Sequence, residues 1–122
     1  MTRKKILLVD DADTVLMIER LMLNEDYDLV TARNGKDAVA MAITEMPDLI
    51  LLDVVMPVMD GFAACKQIRQ NEQISAIPVI MVTTRGEERS LERGFQSGCT
   101  DYVTKPINRL ELMTKVQNCL GE

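Results

Sequence analysis

Asp10 and Asp11 stand side by side directly after the apolar run Ile6 to Val9, and Asp53 stands directly after a second such run, Leu49 to Leu52. Thr83 and Thr84 follow a third, Val79 to Val82, and Lys105 comes shortly after the pair Tyr102 and Val103. Short apolar runs of this kind read as strands, so the spacing sets carboxylates, hydroxyls and an amine at strand ends. If those ends share one edge of a sheet, the carboxylates crowd. Two unit charges about 4 Å apart at an effective dielectric near 20 repel by roughly 4 kcal/mol, so a cation has to join the trio. Hard oxygen donors suit Mg²⁺, or Mn²⁺ in its place, and such an ion keeps several waters and accepts phosphate oxygens. A carboxylate partly neutralised in this way can attack phosphorus and form an acyl phosphate, while the amine and a hydroxyl take the other phosphoryl oxygens. Asp53, at the centre, is the natural nucleophile.

The rest of the composition narrows the chemistry further. Histidine is absent from the 122 residues, which removes the usual general base, zinc clusters built on His and Cys, and any Ser-His-Asp arrangement. Cys65, Cys99 and Cys119 are scattered without a CxxC spacing and read as reduced core or helix residues. The net charge of −5, from 19 acidic and 14 basic side chains, leaves no cationic footprint for a phosphate backbone, so direct nucleic-acid binding is not expected. The basic start, MTRKK, precedes an apolar run far too short for a signal peptide or a membrane span, and a cytoplasmic protein is expected. With 47% hydrophobic and 27% charged residues, the chain has ordinary globular usage and the size of one domain, residues 1–122.

The elements that must position these residues recur at intervals of about 20 to 30 residues. Runs at 6–9, 29–32, 49–52, 79–82 and 102–103 each precede a helical pattern. The first, third and fourth lack alternation, as in strands covered on both faces by helices, which means a parallel sheet. In the first helix Val15, Ile18 and Met22 share a face, with Asp13 capping its start ahead of Thr14. In the second, after the Asn34-Gly35 turn signal, Ala38, Val39, Ala42 and Ile43 do so, and Pro47 ends it. The third spans about 61 to 71 with Phe62, Cys65 and Ile68 inward, after a bend that Gly61 permits. The fourth spans about 86 to 97 and closes at Gly98; Gly94 within it costs about 1 kcal/mol relative to alanine, so it should be loose and exchange its amides fast. The fifth follows the N-cap Asn108 with Leu110, Met113, Val116 and Leu120 as its stripe. Met56 and Met59 are loop packing. Five βα units predict a doubly wound, five-stranded parallel α/β sheet of flavodoxin-like type, order 2-1-3-4-5, in a three-layer α/β/α sandwich. Its ligand site lies at the carboxyl ends of the strands flanking the switch between the first and third.

The stretches LLVDDAD, PDLILLDVVMPVMDGF, PVIMVTTRGEE and GCTDYVTKP together resemble the receiver domain of bacterial two-component response regulators, the CheY-like superfamily, over essentially the whole chain. That resemblance implies that Asp53 is the phosphoacceptor, Asp11 a direct Mg²⁺ ligand, Asp10 a ligand acting mainly through water, and Val55 the donor of a backbone carbonyl to the same ion. It implies that Lys105 pairs with the phosphoryl group, that Thr83 hydrogen-bonds it, that Tyr102 is the aromatic switch and that the bond before Pro106 is cis. With no histidine of its own, the chain must take its phosphoryl group from outside, and the resemblance identifies the donor as a phosphohistidine on a sensor histidine kinase or a histidine phosphotransfer protein. Drawing Thr83 inward would make room for Tyr102 and re-form the surface of the fourth helix, fifth strand and fifth helix, where a downstream protein target binds. The chain is then a signalling switch that assists its own phosphorylation and slow dephosphorylation, not an enzyme with an external substrate.

Competing readings fit less well. A haloacid-dehalogenase-type phosphatase needs an acid two residues after its nucleophile, where Val55 stands, and the acidic DDADT after the first strand would repel a flavin phosphate. The remaining alternative is a degenerate receiver that docks partners without phosphorylation. Four positions depart from the family pattern. Thr84 replaces a small residue and should crowd the phosphoryl pocket, slowing access. Val55 and Arg85 offer nothing to orient attacking water, which predicts a long-lived phosphoryl group. Ile107 replaces a phenylalanine after Lys105-Pro106, with no consequence that the sequence specifies. No DNA-binding or catalytic output module is expected within these residues, and a single-domain regulator and a domain of a longer protein both stay open.

Overall fold

The computed structural model describes residues 3–84 and 89–122. In chain order the elements are β1 (Lys5–Val9), α1 (Asp13–Leu23), β2 (Asp28–Ala32), α2 (Gly35–Glu45), β3 (Leu49–Asp53), α3 (Gly61–Gln70), β4 (Val79–Thr84), α4 (Arg89–Ser97), β5 (Asp101–Lys105) and α5 (Arg109–Leu120). The strands form one parallel sheet in the order β2-β1-β3-β4-β5, as expected. Parallel strands buried on both faces explain the unbroken apolar runs: β1 alternates Leu7 and Val9 toward one side with Ile6 and Leu8 toward the other, and all four are fully buried. The first side packs on Ala38 and Ala42 of α2 and Phe62, Cys65 and Ile68 of α3. The second packs on Leu16 and Leu23 of α1 and Leu112 and Val116 of α5. These are the two outer layers of the predicted sandwich.

Several local expectations need correction. In α1 the buried residues are Leu16, Glu19 and Leu23, not Val15, Ile18 and Met22, and Ile18 is 47% exposed. Residues 15 to 18 and 21 to 23 are all apolar, so two stripes compete, and the one that wins contains a glutamate that disguises it. In α5 Leu110 is 77% exposed whereas Leu112 is fully buried. At 3.6 residues per turn, positions 110 and 112 lie on roughly opposite sides of the helix, and Leu112 pairs with Val116 one turn on. In α2, Ile43 is exposed while Ala38 and Ala42 are buried.

The caps divide similarly. Asn34, Asp60 and Asn108 each accept a backbone N–H in the first turn of their helices, which satisfies one of the orphan donors there. Asp13 is not a cap; Ala12 holds that position. Asp10 Oδ1 accepts the Ala12 N–H at 2.9 Å, and Asp13 pairs with Arg33 from the first turn of the helix. Gly98 closes α4 at φ +102°, while the expected start of that helix at 86–88 lies outside the described residues. Gly61 is required by proximity: a Cβ there would sit 2.3 Å from the Asp53 carbonyl oxygen. The start of α3 is thereby pressed against the end of β3.

Candidate functional site

Register carries the site residues to one edge. Val9 pairs with Leu52, so Asp10 and Asp53 emerge from neighbouring strands one residue later. Thr83 pairs with Thr104, and Thr84 with Lys105. Asp10 extends β1 by donating its N–H to the Ala32 carbonyl oxygen, and its side chain is buried. Asp10 and Asp53 are buried and Asp11 is exposed; each offers a carboxylate oxygen, and these three oxygens lie within 4.8 Å of one another. Lys105 Nζ closes the group at 3.2 Å from Asp10 Oδ2 and 3.2 Å from Asp53 Oδ1.

One ammonium does not balance two buried carboxylates and a third at the surface. Burial first, then repulsion from Asp10, pushes the Asp53 carboxyl up to about 6, with Lys105 pulling the other way. Burial works against the Lys105 ammonium, yet Asp53 and Asp10 outweigh it and hold its pKa above the ordinary lysine value. The residual negative charge, the hard oxygen donors and the exposed side of Asp11, open to water, fit a small divalent ion such as Mg²⁺.

The other expected residues lie on β4 and β5 and in the segments that follow β3 and β5. Thr83 is buried at the end of β4, while Thr84 beyond it is exposed. Val55 lies just after β3 with its side chain exposed. Thr83 and Tyr102 line one closely packed apolar cleft, walled by Phe62, Met81, Phe95 and Cys99. The Lys105-Pro106 peptide is cis. Ile107, whose consequence the sequence left open, packs against the core between the sheet and α1 and α5. Arg85 lies outside the described residues.

Glu19 was not foreseen. Its side chain is fully buried in α1, and neither carboxyl oxygen has a hydrogen-bond partner. Burial first, then the Asp10 carboxylate, pushes it up to about 8, with Lys105 opposing. A buried carboxyl without a partner remains protonated because ionising it would strand a charge in a low-dielectric interior. The one available signal was a polar residue in the middle of the stripe formed by Leu16 and Leu23.

The response regulator receiver domain family matches residues 6–117. Protein PilH of Pseudomonas aeruginosa is 39% identical over 118 residues, covering 96% of this chain and 98% of PilH. The alkaline phosphatase synthesis transcriptional regulatory protein PhoP of Bacillus subtilis is 40% identical over 118 residues, covering 96% of this chain but 48% of PhoP. The chain thus spans about half the length of that relative. Among solved structures, the receiver domain of a sensor histidine kinase from Pseudomonas aeruginosa PAO1, with a magnesium ion coordinated in its active site cleft, superposes with a TM-score of 0.91 at 32% identity. It covers 99% of this chain and 100% of that one. Among the described residues no helix is long and apolar enough to cross a membrane.

Proposed function

We propose that this chain, which belongs to the response regulator receiver domain family, is a phosphorylation-dependent switch in which Asp53 accepts a phosphoryl group from a phosphohistidine partner. The observation that carries this reading is the convergence of Asp10, Asp11 and Asp53 with Lys105 bridging the two buried members. Asp10, Asp11, Asp53 and the Val55 backbone carbonyl would hold a Mg²⁺ ion, which when bound lowers the repulsion between an anionic nucleophile and an anionic phosphoryl group. An Asp53 carboxylate oxygen forms the new P–O bond as the P–N bond to the donor's imidazole breaks, and the nitrogen leaves with its electron pair to take up a proton.

Before transfer, Lys105 holds one Asp53 oxygen at 3.2 Å, which fixes the orientation of the carboxylate. After transfer, the same ammonium is placed to pair with a phosphoryl oxygen, a charge-assisted contact stronger than a neutral one. The Thr83 hydroxyl, at the end of the neighbouring strand, donates to a second. A Thr83 drawn toward the phosphoryl group changes the wall of the cleft that it shares with Tyr102, and the face formed by α4, β5 and α5 is the output surface for a protein target. The three free cysteines suit a reducing cytoplasm. Residues 1–122 act as one receiver domain, with no contact to nucleic acid or membrane of their own.

A receiver that only docks has no use for two buried carboxylates around one lysine, which cost stability unless a cation completes them. The test is incubation with acetyl phosphate and Mg²⁺ followed by intact-mass measurement. The wild type gains the mass of a single phosphoryl group and Asp53→Asn gains none; an unmodified wild type, or equal gain in both, overturns the reading.

A further inference from the structure

Tyr102 of β5 is held from two sides by groups that the phosphoryl chemistry does not use. Its ring is half-buried against the core on the α2 and α3 side of the sheet. Phe95 of α4 meets it nearly edge-on, with centroids 6.1 Å apart and planes at 83°, a favoured geometry for the ring quadrupoles. From α5, Lys115 lies over the ring with Nζ 4.6 Å from the centroid, within range of a cation–π contact.

The same ammonium does more than cover the ring. It donates to the Tyr102 carbonyl oxygen and pairs with Glu111 Oε1 at 3.4 Å and Asp101 Oδ1 at 3.6 Å. Asp101 Oδ1 also accepts the Tyr102 N–H at 2.8 Å. Ring, carbonyl and, through Asp101, amide of one residue therefore converge on a single Nζ that two carboxylates also attract. On the other side lies the apolar cleft that Tyr102 shares with the buried Thr83. The cleft is too closely packed to hold even a water molecule, so a ring turning into it needs its Thr83 wall to move, and would then exchange the cation for Met81, Phe62 and Cys99.

The geometry points to Lys115 as a positioning residue that keeps Tyr102 at the rim of the cleft until Asp53 is phosphorylated. This rests on the reading of the chain as a receiver whose Tyr102 follows Thr83. Lys115 acts on the equilibrium between two placements of the ring and touches no reacting atom, so removing its charge shifts the resting population toward the inward placement. Weakening one cation–π contact changes that population by about fivefold. A ligand that favours the inward state gains apparent affinity by the same factor.

The experiment is ring-carbon NMR on the chain labelled at tyrosine, with and without Mg²⁺ plus beryllofluoride, which mimics an aspartyl phosphate. The chain has two tyrosines, Tyr27 and Tyr102, so Tyr102→Phe assigns the signals and the Tyr27 signal reports an intact fold. In Lys115→Met the unliganded Tyr102 signal moves toward its position in the loaded wild type and apparent beryllofluoride affinity rises about fivefold. Lys115→Arg, which keeps the charge, restores both. A Tyr102 signal and an affinity at wild-type values in Lys115→Met overturn the role of Lys115 while leaving the receiver reading intact. A wild type whose Tyr102 ignores Mg²⁺ and beryllofluoride overturns the switch itself, and the role of Lys115 with it.

Discussion

Asp53 and Glu19 are both buried carboxyls that feel the field of Asp10 and Lys105, and they resolve the cost of burial in opposite ways. Asp53 sits against an ammonium at 3.2 Å and opens toward a rim where the exposed Asp11 brings solvent; its pKa rises only to about 6, so at neutral pH it is a carboxylate available to a metal or to phosphorus. Glu19 has no partner for either oxygen and stays neutral by keeping its proton. Burial alone does not make a carboxyl reactive. What separates the two is a counter-ion within reach and a path to water.

The largest effect should come from removing that counter-ion. Lys105→Met leaves Asp10 and Asp53 buried and unpaired, and breaking a buried pair costs about 3 kcal/mol. Urea unfolding should show this loss at neutral pH, a smaller loss in acid where protons neutralise the carboxylates, and partial recovery in millimolar Mg²⁺. A loss unaffected by either would mean that Lys105 acts through packing.

Glu19 is the next largest. Its pKa in the folded chain is raised from 4.5 to about 8, so the folded state holds a proton that the unfolded state releases. The stability that follows from this is fully present below about pH 4.5 and is lost progressively as pH rises toward about 8. Glu19→Leu should abolish that decline and, by removing an unsatisfied buried group, add about 1 to 3 kcal/mol at neutral pH. Parallel pH profiles for the two proteins would show that Glu19 has a partner in solution.

The smallest expected change lies in α4. A Cβ at Gly94 would meet Cys99 Sγ at 3.5 Å and Phe62 Cε1 at 3.6 Å, ordinary contacts, so Gly94→Ala should stabilise by up to about 1 kcal/mol and slow amide exchange across the helix. Unchanged exchange there would remove the glycine as the reason for a loose α4.

How much of this was legible follows from where the information sits. The strands could be read because a parallel strand covered on both faces is apolar without interruption, and strand ends then delivered Asp10, Asp11, Asp53, Thr83 and Lys105 to one edge. The phase of α1 could not, because Val15, Leu16, Met17 and Ile18 offer apolar residues in every direction and the stripe that faces the sheet is the one interrupted by Glu19. The same ambiguity hid Glu19 as a buried group. Asp13 looked like a cap because Asp favours that position, but Asp10 reaches Ala12 first, a side-chain contact that no spacing rule contains. Lys115 was invisible for a similar reason: its partners on β5 are set by how α5 lies against the sheet edge, which sequence periodicity does not determine.

The measurement closest to the central claim is a calorimetric titration with Mg²⁺ at neutral pH, in the wild type and in Asp11→Asn. The wild type should take up a single ion at millimolar concentrations, with affinity falling below about pH 6 as Asp53 binds a proton, and Asp11→Asn should lose at least about tenfold in affinity. No uptake by the wild type, or uptake that Asp11→Asn leaves unchanged, would contradict the claim that these crowded acids form a metal site.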